Sequence, residues 1–433
     1  MREIVQRIRL SEWDTREVKN CELMEDDRRL VEELARKPQC RLVIDEFKDR
    51  TLVRTTSWVG IVRLSKFEIE VVPKLAGANL GVLEMIEQTS GLDALWRSSS
   101  LRDIDVEGTN LYDLFVLLLV EECERILRSG VLADYVEEED ALSVLRGRLL
   151  LDRQIRQRYG QVDKVICRYD DYHQNIRENQ ILAYALNHCA NRVCQPSIAK
   201  RVRQVGIIFR EVCDWSNLDP THCWEELTYH RLNEHYRPAH ELARIVVEAS
   251  GLTSLYTAGA VNCFSFLIDM NVLFERFVLR VLRSAVKSLE VRYQHVETSV
   301  LWDALAKLPY GRIVPDFVLS DFVTGKIRLA LDAKYKLYDD RKVDPGDLYQ
   351  TFIYSYAFSE GTELPRSVLI YPSENLGGLE SHLHVRTMSR IPKASVFLVS
   401  VNIPLFLTEL KSGAIGPAIT SIGKLIVDQI APE

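Results

Sequence analysis

The stretch RIVPDFVLSDFVTGKIRLALDAKYK, Arg312 to Lys336, constrains the fold more than any other part of the chain. Two β-like segments flank a turn signal at Thr324-Gly325, which specifies a hairpin of adjacent antiparallel strands. Asp316 and Asp332 lie equally far from residue 324, so the hairpin sets them opposite each other. Opposed residues on one face have Cβ atoms about 4.5–5.5 Å apart, a separation at which two carboxylates can share one divalent cation. Lys334 follows Asp332 by two positions and points to the same face. Two carboxylates held together repel and are costly to bury, so such a pair calls for a neutralising lysine or a metal. Asp316 and Asp332 are hard oxygen ligands suited to Mg2+ or Mn2+, with waters completing the octahedron, and the Ala333 carbonyl between the side chains is a further candidate. A lone D-x-K is more often an exposed ion pair on a surface hairpin. Here an apolar strand leads into each carboxylate, which favours the buried alternative.

The flanking segments place this hairpin in an α/β order. The apolar spacing predicts a helix over Phe264 to Ala285, then strands at Val291 to Val296, Ile313 to Phe322 and Lys326 to Ala333. A helix over Asp347 to Phe358 and strands at Ser367 to Tyr371 and Ala394 to Val401 follow. Glu275 interrupts the helical stripe of Leu273, Phe274, Phe277, Val278 and Val281. It is a candidate metal ligand or base if it faces inward, and a surface ion-pair partner of Arg276 or Arg280 if it does not. Gln350 and Tyr354, at i and i+4, share a helix face and are candidates to orient water or phosphate, with packing as the other role for Tyr354.

Upstream the periods differ. The first ~110 residues are β-rich, with strands expected at Arg41 to Phe47, Trp58 to Leu64 and Phe67 to Val72, the last ended by Pro73. From Asn110 the spacing turns helical, and Ser129-Gly130 gives a stop. The acidic run Glu137 to Asp140 is expected as a solvated turn, and Glu178 to Ser250 as helices broken at Gln195-Pro196 and at Asp214 to Pro220. Gly251 to Ala260 marks the boundary before the last region. The expected division is therefore 1–110, a β-rich region; 111–258, mainly helical; and 259–433, the α/β region carrying the carboxylates.

Composition limits what such a chain can do. The net charge of −7 argues against a protein that grips nucleic acid with its whole surface. Positive charge is local: seven basic residues against two acids between Val144 and Arg168, and five against none between Ala190 and Arg210. These patches are either wet helix faces or phosphate and partner contacts. The longest apolar run, Leu114 to Val120, is too short for a membrane helix, and the cysteines, nine of them and scattered, read as reduced thiols in a cytoplasm. No GxxxxGK[ST] or GxGxxG occurs, so the chain is not expected to bind nucleotide itself, and the cysteine and histidine spacings do not make a zinc site.

The carboxylate–lysine pattern resembles the PD-(D/E)xK nuclease core. The chain more widely resembles the McrC family, the nuclease subunit of McrBC-type, modification-dependent restriction systems. The matching stretches are SWVGIVRL with EIEVVPKL, LRGRLLLDRQIRQ, CRYDDYHQNIRENQIL, MNVLFERFV, VPDFVLSD, LALDAKYK and DLYQTFIYSYAF, in the family's order. The resemblance implies a C-terminal restriction-endonuclease-like domain, a mixed sheet flanked by helices. Glu275, Asp316, Asp332 and Lys334 are its matched active-site positions and Gln350 the glutamine that follows. It implies a type IV-like, Mg2+-dependent DNA endonuclease subunit, cutting modified double-stranded DNA. It further implies a partner, the McrB AAA+ GTPase hexamer, bound through the N-terminal region and stimulated by it. A double-strand cut would call for two nuclease sites, hence two copies of the chain or of its complex. Two other readings are a non-catalytic activator of the GTPase and a stand-alone nuclease of the same core acting on structured DNA or RNA.

Overall fold

The Arg312–Lys336 hairpin lies within a six-stranded mixed sheet in the computed structural model of the chain. The structure describes residues 6–430, apart from 20–21, 37, 49, 91–97, 99–107, 162, 251–262, 340–341, 360–363 and 414. The sheet runs Glu290–Tyr293, Phe317–Ser320, Ile327–Ala333, Arg366–Pro372, Pro392–Val401 and Gly378–Arg386. Its first three strands pair antiparallel, the next two join in parallel, and Gly378–Arg386 closes the edge antiparallel. The hairpin register is the expected one: Phe317 faces Leu331, Val318 faces Ala330 and Leu319 faces Leu329, all centred on residue 324, before the ladder slips at Ser320. Strands Phe317–Ser320 and Arg366–Pro372 are buried almost throughout, because both faces are covered, and so they read as continuous apolar runs.

Two helices cover the strands that carry the carboxylates. Pro345–Ala357 starts on Asp344, whose side chain accepts the Gly346 N–H at 2.7 Å. Its Tyr354, with Phe358 just beyond the helix, packs on Val318 and Ala330. Met270–Ala285 starts on Asp269, which accepts the Asn271 N–H at 2.9 Å, and buries Leu273, Phe274, Phe277, Val278 and Val281, the predicted stripe.

The six residues before that helix correct the expectation of a helix from Phe264. Phe264–Asp269 is a strand, paired antiparallel with Trp58–Arg63. A segment of six residues, four of them apolar, does not reveal its period, and here the partner strand decides it. Through this pairing the N-terminal sheet, ordered Gln6–Ser11, Phe67–Val72, Trp58–Arg63, Phe264–Asp269, is completed by a strand from far along the chain. A smaller antiparallel sheet is made of Thr15–Lys19, Arg50–Thr55 and Leu42–Glu46.

The contacts group the described residues into two compact units. One compact unit takes the described residues of 1–95, 106–110 and 257–433, and the other those of 96–105 and 111–256. The expected boundary at Gly251 to Ala260 lies outside the described residues. The second unit packs helices Leu111–Ser129, Arg177–Cys189, Pro196–Val212 and Arg237–Ala249 on one another, the first buried nearly all round. It also holds a three-stranded sheet, Asp134–Leu142, Val165–His173 and Arg148–Leu149. Glu137 to Asp140 is thus not a turn but the middle of a strand, mostly exposed, with its charges toward water.

Candidate active site

The site is built at the end of strand Ile327–Ala333. Alternation along the hairpin gives Asp316 and Asp332 the same face as Val318 and Ala330. Asp332 is fully buried, with 0% of its surface exposed. The Lys334 ammonium pairs with its Oδ2 at 2.7 Å, and its Oδ1 is buried without a hydrogen-bond partner. Asp316 is anchored from behind: its Oδ2 accepts the Ala333 N–H at 2.8 Å.

The electrostatics follow from this crowding. Burial, and then the Asp316 charge, raise Asp332 well above the ordinary carboxylate range, against the opposing pull of Lys334. Burial pulls Lys334 down, but Asp332 and Asp316 outweigh it and leave the ammonium raised. Glu275 is half-buried and also raised, first by burial and then by Asp316. The structure therefore brings Glu275, Asp316, Asp332 and Lys334 into one electrostatic neighbourhood. Three carboxyl groups face one lysine there, and a divalent cation would favour their charged forms.

Gln350 sits at the side of this group. Its Nε2 donates to the Tyr354 hydroxyl at 2.6 Å, and that hydroxyl donates to the Val314 carbonyl at 3.0 Å. The i, i+4 pair is thus joined, and Tyr354 is tied to the segment leading into Asp316 while packing on the sheet. Further residues complete the surroundings without a local sequence signal. Tyr293 donates to Glu275 Oε2 at 3.1 Å, and Gln294 Nε2 donates to the Tyr293 hydroxyl at 3.0 Å. Gln294 holds a left-handed backbone, φ 49, and its N–H donates to the Asp316 carbonyl at 2.8 Å. Only the fold of strand Glu290–Tyr293 beside Phe317–Ser320 makes them neighbours of Asp316.

The donor set fits a hard divalent cation in one respect and limits it in another. The buried Asp332 carboxylate beside Asp316, with no hydrogen-bond partner on Oδ1, is the kind of ligand Mg2+ or Mn2+ takes. Among the described residues, however, no three or more His, Cys, Asp or Glu side chains are gathered tightly enough to hold a metal by themselves. Asp316 and Asp332 are the residues that could hold the cation, with Glu275 nearby and water or substrate oxygens supplying the remainder.

The site is thus an opposed carboxylate pair and a lysine just past the strand end, set on a mixed sheet covered by helices. A family model, McrBC 5-methylcytosine restriction system component, matches residues 53–372. The chain belongs to that family. It is also similar in fold to a chain in the refined half-complex from the tetradecameric assembly of Thermococcus gammatolerans McrB AAA+ hexamers with bound McrC. The identity there is 19%, the TM-score 0.65, and the alignment covers 98% of this chain and 100% of that one. A chain in the cryo-EM structure of the Thermococcus gammatolerans McrBC complex aligns at 20% identity and a TM-score of 0.46, covering 64% of this chain and 87% of that one. No curated protein matches the chain. Among the described residues no helix is long and apolar enough to cross a membrane.

Proposed function

We propose that the chain is the Mg2+-dependent (or Mn2+-dependent) endonuclease subunit of a McrBC-like restriction complex, cutting DNA phosphodiester bonds when assembled with an AAA+ GTPase that it also stimulates. The observation that carries this reading is Asp332: a fully buried carboxylate opposed to Asp316, whose Oδ2 pairs with Lys334 at 2.7 Å and whose Oδ1 has no hydrogen-bond partner. Such a residue is costly for stability alone, and costs of this kind collect at functional sites. When bound, the cation supplies Lewis acidity and lowers the pKa of a coordinated water. Asp316 and Asp332 hold it. Lys334, kept protonated by its two carboxylate neighbours, meets the charge that grows on the phosphate oxygens. Glu275 holds its proton more tightly than an exposed glutamate, through burial and then the Asp316 charge, and stands beside the pair as a further ligand or base. Gln350 and Tyr354 keep the Val314–Asp316 segment in place beside the helix.

The partner follows from the family and from the McrB hexamers that accompany McrC in the similar structure. The test is a reconstitution: purified chain with and without its AAA+ GTPase, GTP, and Mg2+ or a chelator, on duplex DNA carrying 5-methylcytosine. The proposal expects cutting only with all components, and faster GTP turnover when the chain is present. Faster turnover with no cutting under any condition would reduce the chain to an activator. Cutting by the chain alone would make it a stand-alone nuclease.

A further inference from the structure

The strand that carries Asp332 and Lys334 stops where its lysine begins. Strand Ile327–Ala333 ends at Ala333, and the last ladder contact beyond it is the Lys334 N–H to the Ile370 carbonyl, 2.9 Å. The attitude of Lys334 therefore depends on what holds the next residue. Tyr335 is 1% exposed and lies on the opposite side of the backbone. Its ring sits between Trp13, centroids 5.4 Å apart, and Phe274, 5.6 Å apart. Its hydroxyl donates to Glu12 Oε2 at 3.0 Å, and the same oxygen accepts the Lys74 N–H at 2.8 Å. Phe274 precedes Glu275 in the chain, so one aromatic cluster backs both the lysine and the glutamate of the site.

Glu12 is an expensive residue for plain packing. It is 3% exposed, and its Oε1 has no hydrogen-bond partner. Burial raises its carboxyl to about 7. Its neighbour Trp13 holds a left-handed backbone, φ 54, secured by its N–H to the Thr56 carbonyl at 3.3 Å. An orphaned oxygen and a strained turn persist only where the surroundings over-determine them.

We propose that Glu12 and Tyr335 are positioning residues, through which the N-terminal turn sets the Lys334 ammonium against Asp332; this rests on the nuclease reading of the site. The pair touches neither substrate nor cation. It acts by fixing the backbone from which Lys334 projects, as outer partners of a metal site fix its ligands.

The test uses the full chain reconstituted with its AAA+ partner, comparing Tyr335→Phe, Glu12→Ala, Glu12→Gln and the double variant Glu12→Ala/Tyr335→Phe, with Lys334→Ala as reference. Tyr335→Phe and Glu12→Ala are expected to lower kcat on the order of 10- to 100-fold with KM for DNA unchanged. The double variant should be no worse than Glu12→Ala alone, because both changes remove the Tyr335–Glu12 hydrogen bond and only Glu12→Ala also frees the Lys74 N–H. Glu12→Gln keeps an acceptor oxygen for Tyr335 and Lys74 and should recover most of the rate. Thermal unfolding of each variant shows whether the fold is kept. Wild-type kcat in a folded Tyr335→Phe, alongside an inactive Lys334→Ala, would overturn the positioning role. Equal losses in kcat and KM tracking a falling Tm would do the same. Normal cutting by Lys334→Ala would overturn the site reading, and this proposal with it.

Discussion

At the scale of single residues, the chain spends stability in two buried carboxylates, Asp332 and Glu12, each with one oxygen left unpartnered. Glu12 allows a direct measurement. Its carboxyl rises from 4.5 to about 7 on folding, so between those values the folded chain binds more protons there than the unfolded one. The stabilising contribution is complete below about 4.5 and is lost as pH rises through about 7. The shift corresponds to about 3 kcal/mol. Urea denaturation at pH 4.5 and pH 8 should show the wild type losing about 3 kcal/mol more than Glu12→Gln across that interval. Equal losses would contradict the burial account. Asp316, Asp332 and Lys334 could be read from spacing because one hairpin holds all three. Glu12 and Tyr293 could not, since each meets its partner only through strands paired from distant parts of the chain.

At the scale of elements, strand pairing decides what local pattern leaves open. Gly60 shows how closely Trp58–Arg63 meets Phe264–Asp269. Its φ is +138, and a Cβ built there would stand 2.0 Å from the Phe266 carbonyl oxygen. Gly60→Ala must therefore shift backbone as well as adopt a conformation that L residues avoid. A loss of at least about 2 kcal/mol is expected, read as a lower urea midpoint at unchanged m-value. An unchanged midpoint would mean the two strands are not held this close. The same pairing explains the misread helix at Phe264: a six-residue segment with four apolar residues fits either period, and the choice came from Trp58–Arg63. Gly378–Arg386 went unread for the opposite reason. It is an edge strand, exposed or half-exposed throughout, and its alternation of Leu379, Leu383 and Val385 is interrupted by Ser381. The Arg312–Lys336 hairpin was legible to its register because turn, strands and carboxylates are contiguous.

At the scale of the molecule, charge and topology separate what the chain can do from what it needs supplied. The net charge is −7, and four arginines of the Val144–Arg168 patch are engaged by acids close by: Arg146 by Asp171, Arg153 and Arg168 by Glu139, Arg158 by Asp163. Exposed pairs of this kind are weak, but they lower the free positive charge offered to phosphate. The isolated chain should bind duplex DNA no more tightly than about 10⁻⁶ M at physiological salt, measured by fluorescence anisotropy. Nanomolar binding under those conditions would contradict a subunit delivered to DNA by a partner. The two-unit arrangement was hidden from a reading along the chain, because residues 1–95 and 257–433 join across an intervening unit. The most direct test of the central claim is the cleavage rate of a methylated duplex by the reconstituted complex in Mg2+, wild type against Asp332→Ala, with GTP turnover followed in the same tubes. The account predicts a loss of at least about 100-fold in cutting with GTP turnover intact; undiminished cutting by Asp332→Ala would contradict it.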